Sequence, residues 1–137
     1  MNTQNVTLPL PETLFLRFQQ MATATRQPLT GLLLRAVEVG GPPSWEEAPA
    51  RFQADLAALD RLDDDALWRV ARSRPSQAAV ARLQELLEQQ AEDRLKPEEQ
   101  SELKQLMQDA DLLMLRKAHA VTLLRWRGHA IPPAEKL

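Results

Sequence analysis

Residues 5–12 have the sequence Asn5-Val6-Thr7-Leu8-Pro9-Leu10-Pro11-Glu12, and this stretch decides the fold that the sequence predicts. Polar and apolar residues alternate up to Leu10, which predicts a short strand with one apolar face. Pro11 suits the first position of a helix, where its missing N–H is not needed. The apolar spacing then predicts one helix to about Thr25 and, after a turn, a second short helix to Val39.

One strand and two short helices are too small to bury a core within a single chain. The segment therefore predicts an intertwined homodimer whose core is shared between two copies. Its predicted core residues are Val6, Leu8, Leu10, Leu14, Phe18, Leu32, Leu33 and Val37.

The composition excludes several classes of protein. The chain has 137 residues, 44% of them apolar, and a net charge of -2, which gives no global attraction to nucleic acid. The absence of cysteine excludes disulfides and thiolate chemistry. The most apolar stretch, Leu112–Leu124, is too short and too charged to span a bilayer. We see no signal peptide and expect a cytoplasmic protein.

The clearest linker is the stretch Gly40-Gly41-Pro42-Pro43-Ser44. Two glycines end the second helix, and two prolines prevent it from resuming. We therefore predict a dimerisation module at residues 1–40, a linker at 41–48, a helical body at 49–128 and a tail at 129–137.

The helical body makes the predicted fold mostly α. Short helices are expected near residues 49–59 and 63–73, with Asp63 as an N-cap. Residues 76–127 predict a long antiparallel hairpin whose second helix starts at Pro97 and ends at Gly128. That second helix carries two apolar stripes, so we expect it to be covered on both sides by other helices or by a second copy.

Residues 4–40 resemble a ribbon-helix-helix module, the fold of many small bacterial repressors and antitoxins. The resemblance is carried by Val6-Thr7-Leu8-Pro9-Leu10-Pro11-Glu12-Thr13-Leu14 and by Arg26-Gln27-Pro28-Leu29-Thr30. It implies a two-stranded ribbon, one strand from each copy, that enters the DNA major groove, and a second helix whose start binds phosphate.

Carried over to this sequence, the resemblance implies that Asn5, Thr7 and Pro9 face the bases and that Thr30 lies at the phosphate-binding helix start. Pro9 departs from the pattern, because it offers no side-chain hydrogen bond where the family often has a polar residue. Pro28 likewise replaces a frequent serine cap. The module either binds operator DNA weakly or has kept only the dimer fold.

The whole chain is also similar to a bacterial family associated with HNH-type nuclease genes. The similarity lies in Asp64-Asp65-Ala66-Leu67-Trp68, Leu95-Lys96-Pro97-Glu98-Glu99 and Leu113-Met114-Leu115-Arg116-Lys117-Ala118. It implies a protein partner, such as a nuclease, by analogy with antitoxins.

No pattern in the sequence predicts catalysis, a metal or a cofactor. His119 is interpreted as a packing or hydrogen-bonding residue and His129 as an exposed tail residue. The acids Asp60, Asp63 and their neighbours are interpreted as helix caps. The partner-binding surface is predicted around the C-terminal half of the long helix, at Arg116, Lys117, Arg125, Trp126 and Arg127.

Two hypotheses follow. The first is a non-enzymatic dimeric regulator of antitoxin or repressor type, which binds a protein partner through its helical body and operator DNA through its N-terminal ribbon. The second is a structural adaptor that uses the N-terminal module only to dimerise and does not bind DNA.

Overall fold

The computed structural model describes residues 2–137. This part of the chain contains six α-helices and a final 3-10 turn at Ala134–Lys136. The helices are α1 (Glu12–Thr25), α2 (Leu29–Gly40), α3 (Ala50–Leu59), α4 (Asp64–Ala71), α5 (Gln77–Ala91) and α6 (Pro97–Trp126). The mostly α class is confirmed. The chain divides into two compact units, one ending at Gly41 and the other spanning Pro42–Leu137.

The predicted N-terminal strand is wrong. Residues 2–10 have no regular secondary structure, and the described residues 2–137 contain no strand at all. A strand needs hydrogen bonds to a neighbouring strand, and no described segment pairs with this one. Pro9 and Pro11 also remove two backbone donors from the segment. The alternation therefore places Val6 and Leu8 in solvent, 82% and 66% exposed.

The N-terminal unit is a pair of helices joined by a tight turn. Arg26 ends α1 in the left-handed conformation, with φ 54°, and its N–H bonds to the carbonyls of Ala22 and Thr23. Pro28 precedes α2, and its carbonyl oxygen accepts hydrogen bonds from the N–H groups of Gly31 and Leu32. Among the residues of α1 and α2, Ala22 is the one that is buried. Two short helices thus contact each other without enclosing a core.

The second unit has its own core, where α3 and α4 pack on the C-terminal half of α6. The buried cluster comprises Leu56, Leu59, Leu67, Ala71, Ala120, Leu123 and Leu124. The predicted N-cap at Asp63 is confirmed, because its carboxylate accepts the N–H of Ala66 at 2.8 Å. That cap begins α4 at the point where its apolar face meets α6.

The N-terminal half of α6 packs instead against α5, in the predicted antiparallel hairpin. Leu86 and Leu103 are buried, at 0% and 4% exposure. Arg82 on α5 donates to both carboxylate oxygens of Glu102 on α6, at 2.7 and 2.8 Å. This paired contact holds the pKa of the Glu102 carboxyl below its ordinary value. Besides its apolar residues, the hairpin is therefore joined by Arg82, which pairs with Glu102 and, at 3.7 Å, with Glu99.

Candidate interaction surfaces

The N-terminal unit exposes most of its apolar side chains. Four of the eight predicted dimer-core residues are largely exposed, namely Val6 82%, Leu8 66%, Leu14 42% and Val37 66%. The other four, Leu10, Phe18, Leu32 and Leu33, are half-buried. Further apolar residues outside the predicted set are also in solvent: Phe15, Leu16, Met21, Leu34 and Val39. No predicted core residue is buried by one copy alone.

A groove of about 650 Å³ lies between α1 and α2 in this unit. Its walls include the apolar residues Leu14, Phe18 and Leu32. Arg17 and Arg35 also line it, and no acidic side chain does. Of the large exposed apolar side chains, Leu14, Met21 and Val39 line this groove, and the others lie outside it.

The four predicted DNA-binding residues are all exposed. Thr30 lies in the first turn of α2. Asn5, Thr7 and Pro9 lie in the irregular N-terminal segment, so they do not occupy one face of a strand. The structure therefore does not bring the predicted base-reading residues together on a ribbon.

Two acids near the start of α4, Asp60 and Asp64, belong to a polar network that the sequence did not predict. Asp60, just past α3, lies 2.8 Å from His119 Nε2 on α6 through its Oδ1. Its Oδ2 accepts the indole N–H of Trp45 at 2.9 Å. His119 is 8% exposed, so its polar ring is buried together with a partner. Asp60 therefore joins the linker to the long helix.

Asp64 forms the second half of this network. Its Oδ1 accepts from Arg127 at 2.8 Å, and its Oδ2 lies 2.7 Å from His129 Nε2. The hydrogen bond from Arg127, followed by that from His129, holds the pKa of Asp64 below its ordinary value. The His129 ring also meets Trp68 edge to face at 6.0 Å. His129 is half-buried, so the prediction of an exposed tail residue is wrong.

Arg127 holds the end of α6 in place. Besides binding Asp64, its guanidinium donates to the carbonyl oxygens of Leu62 at 2.9 Å and Asp60 at 3.3 Å. The planar guanidinium of arginine carries several N–H donors, so it can bind several oxygen atoms at once. Arg127 is therefore engaged within the fold rather than presented to a partner.

The other predicted partner-binding residues differ in exposure. Arg116 and Lys117 are half-buried on α6, while Arg125 is exposed. Trp126 is 50% exposed. The Nε atom of Arg116 is buried without an acceptor. The end of α6 thus presents Arg125 and part of Trp126 as an accessible pair.

The polar network contains His and Asp side chains, as many catalytic sites do, but these side chains are bound to partners within the fold. His119 is buried in the body, and the second oxygen of Asp60 is already bound to Trp45. Among residues 2–137, no group of three or more His, Asp or Glu side chains could hold a metal ion. The arrangement is suited to fastening α3, α4 and the tail to α6.

No family model matches the chain, and no curated protein or solved structure matches it significantly. None of the helices described in residues 2–137 has the length and apolar character needed to cross a membrane.

Proposed function

We propose that this chain is a non-enzymatic, cytoplasmic, dimeric regulatory protein of antitoxin type. Its N-terminal unit forms a homodimer, and its helical body binds a protein partner. The observation that carries the proposal is the absence of a core in residues 2–41. Ala22 is buried there, whereas at least nine large apolar side chains are exposed.

The physical argument for a second copy is one of size. A unit of about 40 residues rarely buries enough apolar surface to be stable alone. Full burial of one Val, Leu or Phe side chain contributes about 1.5–3 kcal/mol. Pairing two copies through α1 and α2 would bury side chains such as Leu14 and Val37, which are 42% and 66% exposed in one chain. A closed homodimer is the commonest way to cover such a surface.

The dimer is tested by adding charge to this surface. Leu14→Glu/Val37→Glu places two carboxylates in the shared interface, so the N-terminal contact should be lost and sedimentation equilibrium should show a mass below that of the wild type. Because the N-terminal unit needs a second copy, far-UV circular dichroism should also show loss of its helical signal, while the signal of the body persists. The control is Gln19→Glu/Gln20→Glu, which adds the same charge at exposed positions of α1 outside the predicted core. A wild-type chain that sediments as a monomer would contradict the proposal.

The partner surface is assigned to the end of α6. Arg125 is exposed and Trp126 is half-exposed, and these residue types are favoured in binding hot spots. Arg127 is excluded from this surface because it binds Asp64. Arg125→Glu/Trp126→Ala should abolish co-purification with the protein encoded by the neighbouring gene and leave the oligomer unchanged. Retention of that protein would refute the assignment.

The second hypothesis, an adaptor that does not bind DNA, is favoured by one specific observation. The segment with Asn5 and Thr7 is irregular, and Pro9 offers no hydrogen bond to a base. DNA binding through a ribbon therefore has no place in the proposal. A salt-dependent mobility shift with DNA of the protein's own promoter would contradict the adaptor, which should produce no shift.

A further inference from the structure

A second apolar groove lies on one side of the α5–α6 hairpin, in the helical body. It has a volume of about 350 Å³. Arg74, Pro75 and Asp109 line part of it, and the rest of the lining is Ala79, Val80 and Leu83 from α5 and Leu106, Ala110 and Leu113 from α6. We call these six residues the hairpin face. Val80 is 40% exposed and Ala110 is exposed, so one copy leaves the face partly uncovered.

The hairpin face has the pattern of a helix-packing surface. Leu106, Ala110 and Leu113 follow each other at spacings of four and three residues on α6. Val80 and Leu83 provide the matching row on α5. Such rows pack into those of other helices in bundles. Ala79 and Ala110 are small, which permits close approach of another helix. Two hairpins that meet through this face would form a four-helix bundle.

The charges along α6 indicate which molecule covers the face. Residues 97–111 carry five acids and one lysine, or -4, and Arg82 of α5, which pairs with Glu99 and Glu102, reduces this to -3. Residues 112–126 carry two arginines, one lysine and no acid, or +3. The boundary between the two halves falls next to Ala110, which belongs to the hairpin face. Two parallel copies of α6 would place like charges together, whereas two antiparallel copies would place opposite charges together.

We propose that the hairpin face binds the same face of a second copy, with the two α6 helices antiparallel and crossing near Ala110. The apolar rows supply the contact, and the charge distribution sets its direction. This interface goes beyond the proposed function because it uses residues of the body rather than the N-terminal dimer. The body thereby self-associates independently of residues 2–41.

The test removes the N-terminal dimer contact so that association through the hairpin face can be measured alone. The full-length Leu14→Glu/Val37→Glu variant should remain a dimer at the highest soluble concentration, held by the hairpin face. Adding Ala110→Glu should convert it into a monomer in sedimentation equilibrium. The control adds Ala81→Glu, another exposed alanine of the hairpin that does not line the groove, and should leave a dimer. Val80→Glu is a second, independent disruption on α5.

The outcomes separate the two proposals. A Leu14→Glu/Val37→Glu chain that is monomeric, or a dimer that survives both Ala110→Glu and Val80→Glu, overturns the hairpin interface. If Ala110→Glu leaves the mass unchanged but prevents binding of the neighbouring gene product, the face belongs to that partner and the second-copy proposal is wrong. A wild-type chain whose mass falls to that of a monomer with Ala110→Glu alone instead refutes the N-terminal dimer.

The relative direction of the two α6 helices is tested by disulfide cross-linking. Residues 2–137 contain no cysteine, so a single introduced cysteine can pair only with its own copy. In an antiparallel pair, Ala110→Cys lies next to its own copy and should form an intermolecular disulfide. Lys117→Cys lies seven residues from the crossing, about 10 Å along the helix, and the two copies are then about 20 Å apart. Efficient self-cross-linking of Lys117→Cys would establish a parallel pair and overturn the proposed direction. Higher salt should weaken the association, because opposite charges support it.

Discussion

At the residue scale, the acids around the start of α4 have different functions although they are close in sequence. Asp63 caps α4 through the N–H of Ala66. Asp60 binds Trp45 and His119, and Asp64 binds Arg127 and His129. Both of these carboxylates therefore fasten distant segments to the body. The contacts of Asp64 with Arg127 and His129 favour its ionised carboxylate.

Asp64→Asn should lower the free energy of unfolding at neutral pH and reduce its loss on acidification. The folded state holds the pKa of Asp64 below its ordinary value of 3.8. A carboxyl whose pKa is lower in the folded state stabilises the protein above the unfolded pKa, and this stability is lost as the pH falls through the folded pKa. Glu102, whose pKa is also lowered, contributes in the same direction. Urea denaturation at neutral pH and at about pH 3 measures the effect.

The matched control is Asp65→Asn, on the same helical turn. Asp65 is exposed, and among the described residues its side chain makes no hydrogen bond, so its substitution should change the pH dependence little. Equal responses of the two variants would show that the contacts of Asp64 do not stabilise the fold.

These contacts were not predictable from the sequence. Arg127 and Asp64 are 63 residues apart, and His119 and Asp60 are 59 apart. Hydrogen bonds at such separations depend on how the helices pack, which no local pattern specifies. The N-cap of Asp63 was predictable because its acceptor and donor are three residues apart.

At the element scale, α6 is one continuous helix with two different environments. Its C-terminal half contributes Ala120, Leu123 and Leu124 to the core with α3 and α4. Its N-terminal half packs against α5, where Leu86 is the buried residue of that helix. The hairpin end therefore depends on a small number of contacts. Loss of one of them should have a large effect on α5.

Leu86→Ala should destabilise the body by about 2–5 kcal/mol, because it removes a fully buried side chain and leaves a cavity. Its neighbour Leu87 is 41% exposed, and Leu87→Ala serves as the control with a smaller loss. Urea denaturation followed by far-UV circular dichroism gives both values. Equal losses would mean that the two leucines are equally well packed and that the hairpin differs from our description.

Helix positions could be predicted from capping and spacing, since both act within a few residues. Pro97 lies at the start of α6, and α1 ends at Thr25. The strand at residues 5–10 was predicted from alternation alone, and it is wrong because pairing is not a local property. The partner residues at the end of α6 were predicted from composition, which could not show that Arg127 is bound to Asp64.

At the scale of the whole molecule, the two units differ in where their apolar residues lie. The body has buried leucines such as Leu59, Leu67 and Leu124, at 1%, 0% and 0% exposure. The N-terminal unit has Ala22 at 8% and a largely exposed apolar surface. We therefore expect the body to be stable without the N-terminal dimer, whereas the N-terminal unit needs a second copy.

Thermal unfolding of the N-terminal unit should depend on protein concentration. Mass action raises the unfolding temperature of an associating unit as the concentration increases. Helical signal from residues 12–40 should therefore melt at a higher temperature in concentrated solution. The Leu14→Glu/Val37→Glu variant, in which this association is lost, should not show that shift. An unshifted transition in the wild type would mean that α1 and α2 are stable in one copy.

The positions of the tryptophans have a consequence for spectroscopy. All three, Trp45, Trp68 and Trp126, lie in the second unit, and the chain has no tyrosine. Trp45 donates to Asp60 and Trp68 contacts His129, so the fluorescence of these two residues reports on whether the polar network is intact. The N-terminal unit is silent at these wavelengths. Emission therefore follows the second unit, whereas circular dichroism recorded on the same sample follows the helices of both units.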